Sequence, residues 1–194
     1  MSTNTTATSS ARTVAATDRG KLDVGALVLL AVLLAAGFIL NFTVGKAVSS
    51  ITMGAISPEF IISAFCLAIL IVRPSLAQSL VIGLISAAVI QITTTSPFID
   101  FVAEGIAAMV MCAIVGAGMR GGAAKFVPAV GTFVTTAISG VIFMVVKLAV
   151  MGFAPQMVAV LPAAVLPVIF ATAVFNGVLV AALYLPIKKA LKLN

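Results

Sequence analysis

The 194-residue chain has no histidine, no tryptophan, a single tyrosine, two cysteines and only five acidic residues. Each shortage excludes some chemistry. Without histidine there is no imidazole base, no Ser/His/Asp triad and no ordinary His-ligated metal site. Cys66 and Cys112 both lie inside apolar runs and are read as packed thiols, so neither a disulfide framework nor a zinc motif is available. Gly116 to Lys125 is glycine-rich but lacks the Gly-Lys-Ser/Thr ending that a phosphate-binding loop needs. The chain is expected to be no enzyme, to carry no ATPase of its own and to use no cofactor or metal.

Apolar residues are what it has in quantity: 62% of the chain, against 8% charged. That is about 120 apolar residues, in a proportion well above the roughly 45–50% of soluble domains. At about 20 per crossing they suffice for six membrane-spanning helices. A soluble globular domain is excluded, because so few charges cannot cover its core. The expected fold is an all-α integral membrane protein, a bundle of six transmembrane helices. Residues 1–23, rich in Ser, Thr and Ala with no apolar period, are expected to be a disordered tail; residues 24–191 form the membrane domain.

Six apolar segments follow. They run over about 24–42, 60–72, 76–92, 98–119 and 126–153, with the last ending at Leu185. The second is short and is expected to sit tilted, kinked or shielded by its neighbours. Pro162 and Pro167 disrupt a helix interior, which predicts a continuous sixth helix from near Leu166, approached by a bent or re-entrant stretch at 156–165. With both termini in the cytoplasm, nine of the eleven basic residues fall on the inner side: Arg12, Arg19, Lys21, Arg73, Arg120, Lys125, Lys188, Lys189 and Lys192. The net charge of +6 is therefore a topology signal, as the positive-inside rule requires, and no basic surface remains for nucleic acid.

Apart from Asp18 and Asp23 within residues 1–23, five charged residues remain, all on the outer half: Lys46, Glu59, Asp100, Glu104 and Lys147. Asp100 and Glu104 are four apart and share a helix face. Glu104 and Lys147 each lie six residues from a segment end, about 9 Å deep, so the two can be level. Intramembrane charges face partners or water-filled cavities, which predicts an outward-opening polar pocket between the fourth and fifth helices, roofed by the outer loops. Plainer roles stand beside this one. Asp100 can cap the fourth helix; Glu104 and Lys147 can form a structural ion pair; Lys46 and Glu59 can be solvated or interfacial residues, with Lys46 snorkelling outward. Asn176, near mid-membrane, serves interhelical hydrogen bonds or a ligand. Ala31 and Ala35 form a small-xxx-small step that allows another helix close approach, inside the chain or from outside it.

The combination resembles the substrate-binding (S) subunit of energy-coupling factor transporters. Ile56-Ser-Pro-Glu-Phe-Ile-Ile with Leu70-Ile-Val-Arg-Pro74 is similar to that family's second-helix region, and residues 131–143 with 160–166 most resemble its tryptophan-transport branch. The resemblance covers about Val24 to Leu191. It implies capture of a small nutrient (tryptophan or a related amino acid, or a vitamin or its precursor) at the outer face of a bacterial or archaeal plasma membrane. It also implies partners: a transmembrane coupling subunit, met by Ala31 and Ala35, and two cytoplasmic ATPases that drive uptake. For a zwitterionic ligand, Lys147 would take the carboxylate, Asp100 or Glu104 the ammonium, and Phe133 or Phe143 an apolar face. Two rivals are an autonomous homo-oligomeric carrier or channel, and a non-transporting membrane scaffold.

Overall fold

The computed structural model describes residues 22–54, 57–94 and 96–192, and every regular element among them is helical. Most of the expected tail lies outside the described residues. Its last two positions belong to the fold: Leu22 packs on the core, and Asp23 caps the first helix by accepting from the Ala26 N–H at 2.7 Å. Six apolar helices follow: α1 (Val24–Ile51), α2 (Phe60–Val72), α3 (Leu76–Ile90), α4 (Ile99–Gly118), α5 (Val127–Val150) and α6 (Pro155–Ala190). By length and composition α1, α4, α5 and α6 can each cross a membrane; α2 and α3 are shorter, at 13 and 15 residues. The molecule is a multi-pass helical membrane protein by this pattern.

The shortest helix is the hub. Twelve of the thirteen residues of α2 are buried, and it touches all five other helices. The rest wrap it in the order α1, α3, α4, α5, α6, each packed on the next, while α6 and α1 do not meet. Leu30 and Leu34 of α1, Phe65 and Ile69 of α2, Met111 of α4 and Val180 of α6 all belong to the resulting core. A helix with no lipid-facing stripe need not match the bilayer thickness. At about 1.5 Å per residue α2 spans about 20 Å, against roughly 30 Å of hydrocarbon. Its isolation explains how so short an apolar run persists.

Local chemistry sets the ends of these helices. Pro74 bars its predecessor from the right-handed helical region, and α2 stops at Arg73 in the left-handed conformation, φ 53°. Ser75 and Gln78 then open α3 with a reciprocal capping box. The tight approach of α3 to α4 depends on Gly83, where a Cβ would collide with the backbone carbonyl of Glu104.

Two expected boundaries are corrected. The loop expected around Lys46 is helical: α1 continues through a π-helical turn at Asn41–Gly45 to Ile51. Inside that turn Thr43 donates to the Ile39 carbonyl at 2.7 Å, so a side chain accompanies the widened backbone. The sixth helix does not begin near Leu166. It is continuous from Pro155 to Ala190 and holds Pro162, Pro167 and Pro186 in its interior. In hydrocarbon an exposed backbone break is costlier than the hydrogen bond a proline removes, so the helix is retained.

Candidate functional site

Buried polar residues gather along one face of α5 and its neighbours. On α5, Thr132, Thr135, Thr136 and Ser139 recur at helical spacing and are all buried. The stripe meets Glu104 on α4 and Asn176 on α6, both buried; Asp100 on α4 and Ser63 on α2 are buried as well. Ser139 Oγ donates to Glu104 Oε1 at 2.8 Å. One turn away, Asn176 Nδ2 donates to Thr136 Oγ1 at 3.3 Å and to the Glu59 backbone carbonyl at 3.2 Å. A chain of contacts thus joins α4, α5, α6 and the segment preceding α2.

The set is incompletely satisfied. Glu104 Oε2 and Asn176 Oδ1 have no hydrogen-bond partner, nor do Ser63 Oγ and Thr132 Oγ1. Glu104 is 4% exposed and Asn176 is fully enclosed. Orphaned polar atoms at such depth cost roughly 1–3 kcal/mol each, more when charged. Two of the four are pure acceptors if Glu104 is ionised, and they call for N–H or O–H donors.

The expected site residues divide into those the fold assembles and those it keeps apart. Asp100 does not cap α4; that position is Phe98, and its N–H bonds to Gln91 Oε1 at 2.9 Å. Asp100 instead lies buried in the first turn and accepts from Gln91 Nε2 at 3.1 Å. Gln91 thereby brackets both groups and holds Phe98 in its left-handed conformation, φ 69°. Glu104 and Lys147 are not level and form no pair. Glu104 lies beside Ser139, and Lys147 is two helical turns further along α5, about 12 Å of rise. The Lys147 ammonium rests 5.6 Å from the Phe143 ring centroid. Phe133 packs edge-on against Phe170, with centroids 5.8 Å apart.

Lys46 and Glu59 do share a place. Both line a cleft of about 170 Å³ between the end of α1 and the loops before α2 and α4, with Asn41, Ser57 and Thr93. Lys46 is exposed and lies 4.4 Å from the Phe42 ring centroid. Burial pushes the Glu59 carboxyl up from 4.5 to about 7, and the charge of nearby Asp100 adds to the shift. Since Asn176 holds the Glu59 carbonyl, the cleft and the buried cluster meet at this residue. Asn41 has a structural task as well: its Oδ1 accepts the first N–H of α2, from Phe60, at 3.3 Å. Among the described residues, no three acidic or thiol side chains are grouped so as to hold a metal.

Sequence reasoning missed the hydroxyl stripe of α5. Its signal was present: Thr132, Thr135, Thr136 and Ser139 stand at i, i+3, i+4 and i+7, one face of a helix. Ala31 and Ala35 both face outward from the bundle, away from the core. No family model, no curated protein and no solved structure matches the chain.

Proposed function

We propose that this protein is the membrane-embedded substrate-binding subunit of an energy-coupling-factor-type importer, with six helices in the bilayer and both termini cytoplasmic. One observation carries the functional reading: Glu104, buried on α4 beside Ser139 of α5, is hydrogen-bonded on one oxygen and unsatisfied on the other. An ionisable group in a membrane interior marks a ligand or ion pathway by default. The ligand supplies what the cluster lacks, namely positive charge and N–H donors for Glu104 and Asn176. An ammonium group fits that demand. Lys46, which lines the cleft beside Glu59, is the cation placed to meet a carboxylate at the mouth; Lys147 lies outside the cluster. The outward-facing Ala31 and Ala35 leave a smooth strip on α1 for a coupling subunit, which would bring the two ATPases that this chain lacks.

Thermal unfolding of the detergent-purified protein with tryptophan, tryptamine and indole-3-propionate tests the ligand chemistry. A ligand that binds only the folded state raises the transition by mass action. Tryptophan and tryptamine should stabilise and indole-3-propionate should not. Stabilisation by the amine-free acid alone would overturn the assignment of Glu104. Co-purification of a coupling subunit by the native chain, and its loss on Ala31→Leu with Ala35→Leu, tests the partner; retention by that double variant would remove this face from the interface.

A further inference from the structure

The opposite end of the bundle holds a second recess, of about 440 Å³, larger than the cleft beside Glu59. It lies between the last turn of α2 and the last two turns of α4, and its walls include Ile69, Arg73, Pro74, Cys112, Met119 and Arg120. Its volume falls within the range of sites for small molecules. Two guanidinium groups border one recess, and among the described residues neither meets a carboxylate. The wall is held by a specific contact: Cys112 Sγ donates to the Pro74 carbonyl at 3.3 Å. Arg73 is committed to this position by the turn that Pro74 imposes, so its side chain leaves from a fixed point on the backbone.

We infer that this recess binds the headgroup of an anionic phospholipid. The phosphate sits between Arg73 and Arg120, which are suited to it because a guanidinium offers paired donors in the geometry of phosphate oxygens. Ile69, Val115 and Met119 supply an apolar floor for the first methylenes of an acyl chain. Position favours a lipid over a soluble anion. The recess lies at the end of α4, a helix long enough to cross a membrane; resting on the cytoplasmic termini proposed above, it opens on the inner side, where basic pockets between helices hold anionic lipids. Chemistry agrees with position: a free phosphate would use the arginines and leave the apolar floor wet.

The two thiols provide the assay. Cys112 borders the recess and is partly exposed, whereas Cys66 is fully buried and reports unfolding. The full chain in neutral detergent is treated with N-ethylmaleimide, and modification of each thiol is followed by mass spectrometry. Phosphatidylglycerol should slow alkylation of Cys112 without exposing Cys66, while phosphatidylcholine and inorganic phosphate should not. Arg73→Gln with Arg120→Gln should raise the phosphatidylglycerol concentration needed for protection about 30-fold, the loss expected for two cationic contacts at a membrane surface. If that pair misfolds, Arg120→Gln alone, at an exposed position, should lose about fivefold. Equal protection by phosphatidylcholine would overturn the inference. So would protection by inorganic phosphate alone, or an unchanged phosphatidylglycerol requirement in the folded variants.

Discussion

The two ends of the bundle hold their charge in opposite environments. One has three carboxylates, Glu59, Asp100 and Glu104, the last two buried with a hydroxyl-lined interior beside them, while its cations, Lys46 and Lys147, are exposed and half-buried. The other has Arg73, Arg120, Lys125, Lys188 and Lys189, on helix ends and short links. Charge that lies at an interface can be solvated by water and headgroups, and it serves orientation at little cost. Charge buried within the bundle must be satisfied from inside, and at Glu104 it is only half satisfied. Ligand chemistry belongs at the end where the protein has left polar atoms unsatisfied.

The largest expected effect removes that asymmetry. Glu104→Gln keeps the shape and the contact with Ser139 but deletes the charge. Affinity for tryptamine should fall about 100-fold by isothermal titration, as for a buried charge that loses its ionic partner. Unchanged affinity would make the acidic end structural. Next come paired glycine substitutions, one near each end. Gly83→Ala forces a methyl against the Glu104 carbonyl and should cost about 2 kcal/mol of stability. Gly116→Ala, which meets nothing within 4 Å at the rim of the basic recess, should stabilise by about 0.5 kcal/mol. Denaturation of both variants in one detergent gives the contrast directly, and equal effects would mean that both ends are equally tightly packed.

A smaller effect follows from Glu59. Its carboxyl stands at about 7 in the folded protein against the ordinary 4.5, so the folded state holds the proton more tightly. Stability is then greatest below pH 4.5 and declines as pH rises through about 7. After solvent screening at a half-buried position the change should be about 1 kcal/mol. Glu59→Gln should flatten that part of the pH–stability curve, and an unaltered curve would assign the dependence to another group. The smallest effect belongs to Lys147. With its ammonium over Phe143 and away from Glu104, Lys147→Met should change ligand affinity less than about threefold and stability by about 0.5 kcal/mol. Loss of binding in that variant would return Lys147 to the ligand site.

Much of the fold was legible because apolar run length is a direct measure of what hydrocarbon accepts. Residues 60–72 form α2 with the expected limits. The misjudged boundaries share a cause. Lys46, Ser49 and Ser50 read as loop residues, and Pro162 and Pro167 as helix breakers, by rules drawn from water. In a membrane protein the backbone keeps its hydrogen bonds and the helix runs on through both. The candidate site was legible only in its charges. Asp100 and Glu104 stood out because carboxylates are rare here, whereas Ser139 and Thr136 did not, since a helical hydroxyl can satisfy itself on the carbonyl four residues back. Their actual partners lie 35 and 40 residues away in sequence.

Composition and charge placement alone determined that the chain is a helical membrane protein, divided it into six apolar segments and separated most of its basic residues from its acids. Those follow from transfer energies, which are properties of residues taken singly or in runs. Tertiary structure decided that α2 is the enclosed hub, that Glu104 pairs with Ser139 and not with Lys147, and that Arg73 and Arg120 border one recess. Such facts depend on which faces of distant helices meet and at what height. Close approach at positions such as Gly83 sets that height, and no local pattern of hydrophobicity encodes it.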